Sequence, residues 1–400
     1  MKAKKVNMSI PILQLKKGKE RSINNRHPWI FSGAVAKLPN EEEGTIVCIT
    51  DSENKKLGFG FLSHKSQIVC RMFEWDDLSL FVKEDQYWIS KIKNAFALRS
   101  TVIPFEKTNV YRLIHAEGDF FPGLIADVYG EVVVLQILIR GVERLIPVVI
   151  EALTQIGFQN IYVKAKTSST VLEDIRTGSG WVKGGAELPV KVKENNVLFE
   201  VDFINGQKTG FFVDQRENRE LLRTYSKNKK VLNTFCYTGG FSVYAAAGGA
   251  TVVDSVDISK DAVEMASKNM SLNYPDTKHG AITADCFDFL GEIEKDHYDI
   301  IVLDPPAFAK SAKAVANACR GYKQINLKAF RKIKKGGLVF TYSCSQNIDK
   351  ELFQKIVFGA AADAHRNIRI IHQMHQPADH PINIYHPEGE YLKGLVLYVE

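Results

Sequence analysis

The chain has 400 residues, 45% of them hydrophobic and 24% charged, with a formal net charge of +6. That is the composition of an ordinary globular protein, long enough for two or three domains that each bury a core. No apolar run approaches the ~18 residues of a membrane span. The start MKAKKVNMSIP has no apolar signal core either, so neither insertion nor export is expected.

The charge is unevenly spread. Residues 1–37 carry Lys2, Lys4, Lys5, Lys16, Lys17, Lys19, Arg21, Arg26 and Lys37 against Glu20 alone. Such a block is either a solvated face or a surface for a polyanion such as RNA. From Ile10 to Trp75, short apolar runs alternate with turn signals, the pattern of a small β domain. Within it, Arg26-His27-Pro28-Trp29-Ile30-Phe31 sets cationic and aromatic groups side by side, as base stacking with phosphate contact requires. The plainer alternative puts Trp29 and Phe31 in the small core and Arg26 in solvent.

Asp76 to Asp85 is polar enough to be a boundary, and Gln86 to Arg99 has helical spacing of Trp88, Ile92, Ala95 and Phe96. Strands are expected at Tyr111–Ile114, Glu131–Ile139 and Ile161–Val163, and a helix at Leu145–Gln155. Asp119 and Asp127 are read as structural or solvated carboxylates. Val197, Phe199, Val201 and Phe203 alternate as a half-buried strand does. The segment Gly206-Gln207-Lys208-Thr209-Gly210 follows, and Asp214 with Glu217 reads as an N-cap pair opening a helix.

From there strands are expected at 231–236, 252–258, 281–284, 298–303, 337–343, 366–371 and 394–399, with helices between most of them. Alternation of this kind specifies a mostly parallel sheet covered on both faces. Its centre is Lys229 to Ser259: an apolar strand, the turn Tyr237-Thr238-Gly239-Gly240, a helix stopped by Gly248-Gly249, and a strand bearing Asp257 near its end. Strand, glycine turn, helix and terminal carboxylate make a nucleotide site, the carboxylate accepting from ribose hydroxyls. The turn is not G-x-G-x-x-G, so a dinucleotide is not indicated, whereas S-adenosylmethionine has no pyrophosphate to cradle.

Ligands of such a sheet lie beyond the carboxyl ends of its strands. Asp285 and Cys286, Asp304-Pro305-Pro306-Ala307-Phe308 and Ser343-Cys344-Ser345 occupy those ends. Asp304 is either a strand-terminating cap or an acid facing a ring, with Phe308 beside it as a stacking surface. Six scattered cysteines (48, 70, 236, 286, 319 and 344) with no C-x-x-C pair suggest neither a disulfide framework nor a zinc site, and suit a reducing cytosol. Cys344 is placed to be a nucleophile. Cys236 is its rival, though its position before Tyr237 suggests packing beneath a cofactor.

With these residues in place, the chain resembles the ribosomal RNA large-subunit methyltransferase I family. The matching stretches include LKKGKERSINNRHPWIFSGAVA (15–36), EGDFFPGLIADVYG (117–130), KTGFFVDQRENR (208–219), LNTFCYTGGFSVYAA (232–246), DPPAFAKS (304–311), TYSCS (341–345) and ADHP (378–381). The resemblance implies an α/β protein with a PUA-like RNA-binding domain (1–77), an α+β EEHEE domain (78–198) and a class I, Rossmann-like methyltransferase domain (199–400). It implies that Tyr237, Gly239, Gly240, Asp257 and Asp285 hold S-adenosylmethionine, with Gln215, Phe235, Ile258 and Cys286 in the same set. Cys344 would attack the base, Asp304 would assist, and Phe308, Arg26 and Trp29 would contact RNA. Ribosomal RNA is the partner implied, with a homodimer as an open possibility and no metal. Cys236 departs from the expected Ser, and Ala307 from an expected lysine.

The implied reaction explains the residue types. Carbon 5 of cytosine is a poor nucleophile until a thiolate adds at carbon 6. Two rival readings stand beside it: a methyltransferase acting on another base or atom, and an RNA-binding adaptor with an inactive methyltransferase fold.

Overall fold

The computed structural model describes residues 10–75, 84–165, 173–309 and 311–400. Lys2, Lys4 and Lys5 of the basic block and the expected boundary at 77/78 lie outside them. Short alternating strands build the first sheet: β1 (Ile12–Leu15), β2 (Trp29–Phe31), β3 (Val35–Lys37), β4 (Ile46–Thr50), β5 (Lys56–Leu62) and β6 (Ile68–Glu74). They pair in the order β2-β6-β5-β4-β1-β3. One side buries Leu13, Leu15, Ile30, Val47, Ile49 and Val69. Trp29 and Phe31 are not in that core: Phe31 is 48% exposed and Trp29 is half-buried, because both alternate with the inward-facing Ile30.

Phe59, Phe61 and Phe73 join Trp88, Ile89 and Ile92 of the helix Asp85–Val102. Phe61 stacks on Trp88 at 5.5 Å. The first sheet therefore has a core of its own on one side and shares a second core with the middle unit on the other. Gly44 marks their closest approach, since a Cβ there would lie 2.5 Å from the backbone nitrogen of Gly141.

The middle sheet runs β11-β10-β9-β8-β7, from β7 (Val110–His115), β8 (Leu124–Tyr129), β9 (Val132–Ile137), β10 (Asn160–Val163) and β11 (Gly180–Lys183). The sequence reading missed β8, whose apolar run is broken by Asp127. That carboxylate is buried because Arg112 on β7 donates to both its oxygens, at 2.7 and 2.9 Å. Asp119 is matched in the same way by the buried Arg99. Both acids are structural.

A hairpin of β12 (Val190–Glu194) and β13 (Val197–Val201) leads into the last unit. The boundary expected at 198/199 falls inside this hairpin, which packs on the last unit. Glu194 takes both guanidinium donors of Arg219, at 2.8 and 2.7 Å. Asn269 and Asn273 accept from the backbone of Glu200 and Leu198.

The last sheet contains β14 (Lys230–Thr234), β15 (Val252–Asp257), β16 (Lys278–Thr283), β17 (Ile300–Leu303), β18 (Gly337–Ser343), β19 (Ile368–Met374) and β20 (Lys393–Val399). Their order is β16-β15-β14-β17-β18-β20-β19, and β20 alone runs antiparallel to its neighbours. The central strands are continuous apolar runs because helices cover both faces. The order reverses at β14, so the ends of β14 and β17 flank the switch point where ligands bind such sheets.

Two features depart from the sequence reading. The helix after Phe212 is Arg216–Tyr225, with no side-chain cap. Asp214 sits in the preceding 3-10 turn and accepts from the hydroxyl of Tyr391 at 2.7 Å instead. The second is the return between β19 and β20, far longer than an antiparallel turn needs. It reaches every other unit. Asp379 accepts from Arg216 at 2.9 and 3.0 Å and from the amide of Arg112 at 2.8 Å. Asn383 donates to the carbonyl of Glu117, and Glu388 meets His27 at 3.3 Å.

Candidate active site

The turn after β14 is held in a sparsely populated conformation. Phe235, Tyr237 and Gly239 have φ of 55°, 47° and 80°, strain that persists only where surroundings impose it. Asp257 at the end of β15 imposes part of it, accepting from the amide of Tyr237 and, on its other oxygen, from that of Ser259, both at 3.0 Å. Cys286 adds to this by accepting from the amide of Phe235 at 3.2 Å. The Tyr237 hydroxyl donates to the carbonyl of Gly210 at 3.0 Å. Gly239 serves packing more than ligand approach: a Cβ there would lie 2.8 Å from that of Ala266. Gly240 opens the helix Gly240–Ala247.

Around this turn lies a cavity of about 230 Å³. Phe235, Tyr237, Gly240, Asp257, Ile258, Asp285, Cys286, Gln215, Asp304 and Cys344 all line it, together with Lys208 and Asp214. Gly239 stands behind the wall. These residues fit an adenosine-bearing sulfonium. Ile258, 73% exposed, and Phe235 offer apolar surface to a flat ring. Each Asp257 oxygen keeps acceptor capacity beyond its one backbone donor, as ribose hydroxyls require. Asp285 is exposed, and one of its oxygens caps the helix Cys286–Glu292.

Asp304, just past β17, is half-buried and accepts from Gln215 Nε2 at 3.0 Å. Burial and the neighbouring charge of Asp214 push its carboxyl up to about 7, against the pull of Lys208 and Gln215. Cys344 follows β18 directly. Its flanking serines are structural: Ser345 Oγ accepts from the amide of Ala309 at 3.2 Å and pairs with the Tyr322 hydroxyl at 2.9 Å. Burial pushes the Cys344 thiol up to about 11, with Lys208 and Lys393 pulling it down and Asp304 and Asp214 pushing it up. Cys236 is more enclosed. It packs on Val263 and Ala266, and burial beside Asp257 raises its thiol well above the ordinary range.

A second cavity, of about 720 Å³, lies on the far side of Cys344. Trp29 of the first sheet, Glu117 of the middle unit and His386 of the long return form its walls, with Ala307 and Lys208. Trp29 donates from Nε1 to Glu117 at 2.8 Å, while Arg71 covers its ring at 5.3 Å and pairs with the same carboxylate. Arg26 is exposed and lies over the ring of Trp75 at 5.9 Å. Phe308 lines neither cavity; its ring packs on Tyr322 at 4.7 Å and on Phe287 at 6.0 Å. Lys208, Asp214 and Tyr391 were not singled out from sequence. The only signal for Lys208 was its place between two glycines in a loop joining strand to helix.

A family model described as S-adenosylmethionine-dependent methyltransferase matches residues 111–383, and one described as PUA-like domain matches residues 13–75. Fold and first cavity therefore define a methyltransferase whose cofactor is S-adenosylmethionine. Among curated proteins, ribosomal RNA large subunit methyltransferase I of Aliivibrio fischeri is 40% identical over 394 residues, covering 97% of this chain and 99% of that one. The protein of the same name from Aeromonas hydrophila is 41% identical over 397 residues, covering 96% and 98%. The chain belongs to the ribosomal RNA large subunit methyltransferase I family. Among solved structures, a putative methyltransferase from Streptococcus mutans shares the fold with a TM-score of 0.84 at 23% identity, covering 98% of this chain and all of that one.

Proposed function

We propose that this enzyme methylates carbon 5 of a cytosine in large-subunit ribosomal RNA, through a transient bond between Cys344 and carbon 6 of the base. The observation that carries the proposal is the position of Cys344 in the walls of both cavities. One side holds the cofactor; the other is open to a nucleotide and walled by the RNA-binding sheet. A base active in this way must leave its helical stack, and a cavity of about 720 Å³ accommodates an extruded nucleotide.

S-adenosylmethionine, when bound, supplies an electrophilic methyl group. The chain's own residues do the rest. Cys344, as thiolate, adds to carbon 6, and the displaced electron pair of the ring is taken up at nitrogen 3. Asp304, whose acid range near 7 leaves much of it protonated at neutral pH, delivers the proton there. Carbon 5 is then nucleophilic and takes the methyl group. Loss of the carbon-5 proton to solvent water drives the electron pair back to expel the Cys344 thiolate, and Asp304 recovers its own proton from nitrogen 3. Water exclusion falls to the shared wall, where Cys344 is half-buried.

RNA carrying 5-fluorocytosine tests this, because fluorine cannot leave as the proton does. The wild-type enzyme with cofactor should form an adduct on large-subunit ribosomal RNA that survives denaturation. Cys344→Ala should lose both adduct and methylation, and Cys236→Ala should keep both. Full methylation by the Cys344 variant would redirect the assignment to a purine or an exocyclic nitrogen. Cofactor binding without turnover on any RNA would instead support an adaptor.

A further inference from the structure

The thiol that must attack is held where burial opposes its ionisation, and the thiolate, not the thiol, is the nucleophile. Something nearby has to compensate. Two carboxylates, Asp304 and Asp214, work in the wrong direction, and the Tyr322 ring on the neighbouring helix is neutral. The loop after Asp304-Pro305-Pro306 offers no cation, because Ala307 occupies that place in the wall of the second cavity. Two ammonium groups remain. Lys393 lies behind the Cys344 loop, its Nζ donating to the carbonyls of Ser345 at 2.8 Å and Tyr391 at 2.7 Å. Burial draws it down to about 8, so it loses charge before the thiol gives up its proton.

Lys208 differs in every respect. Among the described residues, it and Cys344 are the only two that line both cavities. Its backbone is left-handed, with φ of 48°, a conformation a lysine adopts only under constraint. Its ammonium lies 4.3 Å over the ring of Phe212 and 3.4 Å from Asp214 Oδ2. Asp214 is buried, and its other oxygen has no hydrogen-bond partner. A buried carboxylate so placed holds the ammonium in the wall.

We propose that Lys208 is a positioning residue acting through Cys344, its ammonium holding the thiol as the thiolate that attacks the base. The proposal rests on Cys344 being the attacking group. The thiol proton leaves to water through the second cavity, and the ammonium keeps its own proton throughout. The anion–cation pair forms on the face where the extruded base enters, so a sequence reading centred on the cofactor turn passes over it.

The test needs neither RNA nor cofactor. The full chain is treated with iodoacetamide from pH 7 to pH 9.5, and alkylation is followed peptide by peptide. Lys208→Gln should alkylate at Cys344 about threefold more slowly at pH 8. A rise of about one unit in the thiol's acid range lowers the thiolate fraction tenfold, and the greater reactivity of a more basic thiolate restores part of it. Lys208→Arg should retain the parental rate. High salt should slow Cys344 in the parent, and not in Lys208→Gln. The partly exposed Cys319 serves as internal control, and the buried Cys236 and Cys286 should stay unreactive if the variant is folded. Equal Cys344 rates in parent and Lys208→Gln would overturn the proposal. Should Lys208→Gln not fold, the salt dependence of the parent alone decides, and a salt-independent rate overturns it. Failure of 5-fluorocytosine trapping would leave this result standing, so the two conclusions can fall separately.

Discussion

Gln215 donates to Asp304 at 3.0 Å while Asn218 donates to the carbonyl oxygen of Gln215 at 2.6 Å. The second contact fixes which end of the Gln215 amide faces the carboxyl. Two residues from one turn and helix thus orient an acid on a strand end more than eighty positions later. They hold it in place; burial and Asp214 set its acid range.

That range has a stability consequence. The folded protein binds a proton at Asp304 up to about 7, whereas the unfolded chain releases it near the ordinary 3.8. Stability from this group is therefore complete at acid pH and is lost as pH rises between about 4 and about 7. Asp304→Asn should abolish methylation yet be more stable than the parent at pH 8, by about 1–3 kcal/mol, with a smaller advantage at pH 5. Urea melts at both values check this; an advantage that does not grow with pH contradicts it.

Asp379 has the opposite sign. His380 and Arg216 hold its carboxyl well below the usual range despite burial. Its contribution is present above the ordinary value of 3.8 and is lost as pH falls through and below that point. Asp379→Asn leaves the buried Arg216 with only the longer, exposed contact to Glu217 at 3.8 Å, which should cost about 2–4 kcal/mol at pH 7. The gap to the parent should narrow as acid is approached. Denaturant midpoints at pH 7 and pH 2.5 measure it, and a gap that is the same at both would refute the assignment.

Asp257→Ala removes the acceptor we propose for the ribose hydroxyls and also the anchor of two backbone amides. Cofactor affinity should fall at least tenfold, and stability by about 1–3 kcal/mol for the unsatisfied donors. Asp257→Asn, which retains one acceptor oxygen, should recover part of the stability while affinity stays low. Calorimetric titration with S-adenosylmethionine and thermal melts separate the two effects; unchanged affinity would move the ribose contact elsewhere.

Gly239→Ala should destabilise by about 2–4 kcal/mol, combining a left-handed alanine with overpacking against Ala266. The double variant Gly239→Ala/Ala266→Gly should recover only the steric part, because φ of 80° is unchanged. If the double variant is as stable as the parent, the conformational component is absent.

Much of the last unit was legible in sequence, since its central strands are buried on both faces and read as unbroken apolar runs. Strand β18 falls where expected, at Gly337–Ser343. The edge strand β16 begins at Lys278, three residues earlier than its apolar run, because an edge position tolerates Lys278 and His279. Asp257, Asp285 and Cys344 could be placed from strand ends alone, which is why the walls of the first cavity were legible. Those of the second were not, because they come from distant segments. Asp214 looked like a helix cap; its actual partner, Tyr391, lies 177 positions away, beyond the reach of local pattern. For Phe31 and Trp29 the choice between core and RNA-facing surface stayed open, because aromatic type does not reveal which face of a strand a residue occupies. The stretch Leu124–Tyr129 failed as a strand because a buried acid is neutralised only by a neighbour on another strand.

The setting of Trp29 has one more use. Of the four tryptophans, it alone lines either of the two cavities described, whereas Trp88 is enclosed in the shared core. The imidazole of His386 lies 4.4 Å from its ring and a guanidinium covers one face. Indole emission responds to such contacts, so the protein carries its own optical reporter in the wall of the second cavity. Titrating RNA while following the wild-type signal, with Trp29→Phe as the blank, gives occupancy without a label on either partner.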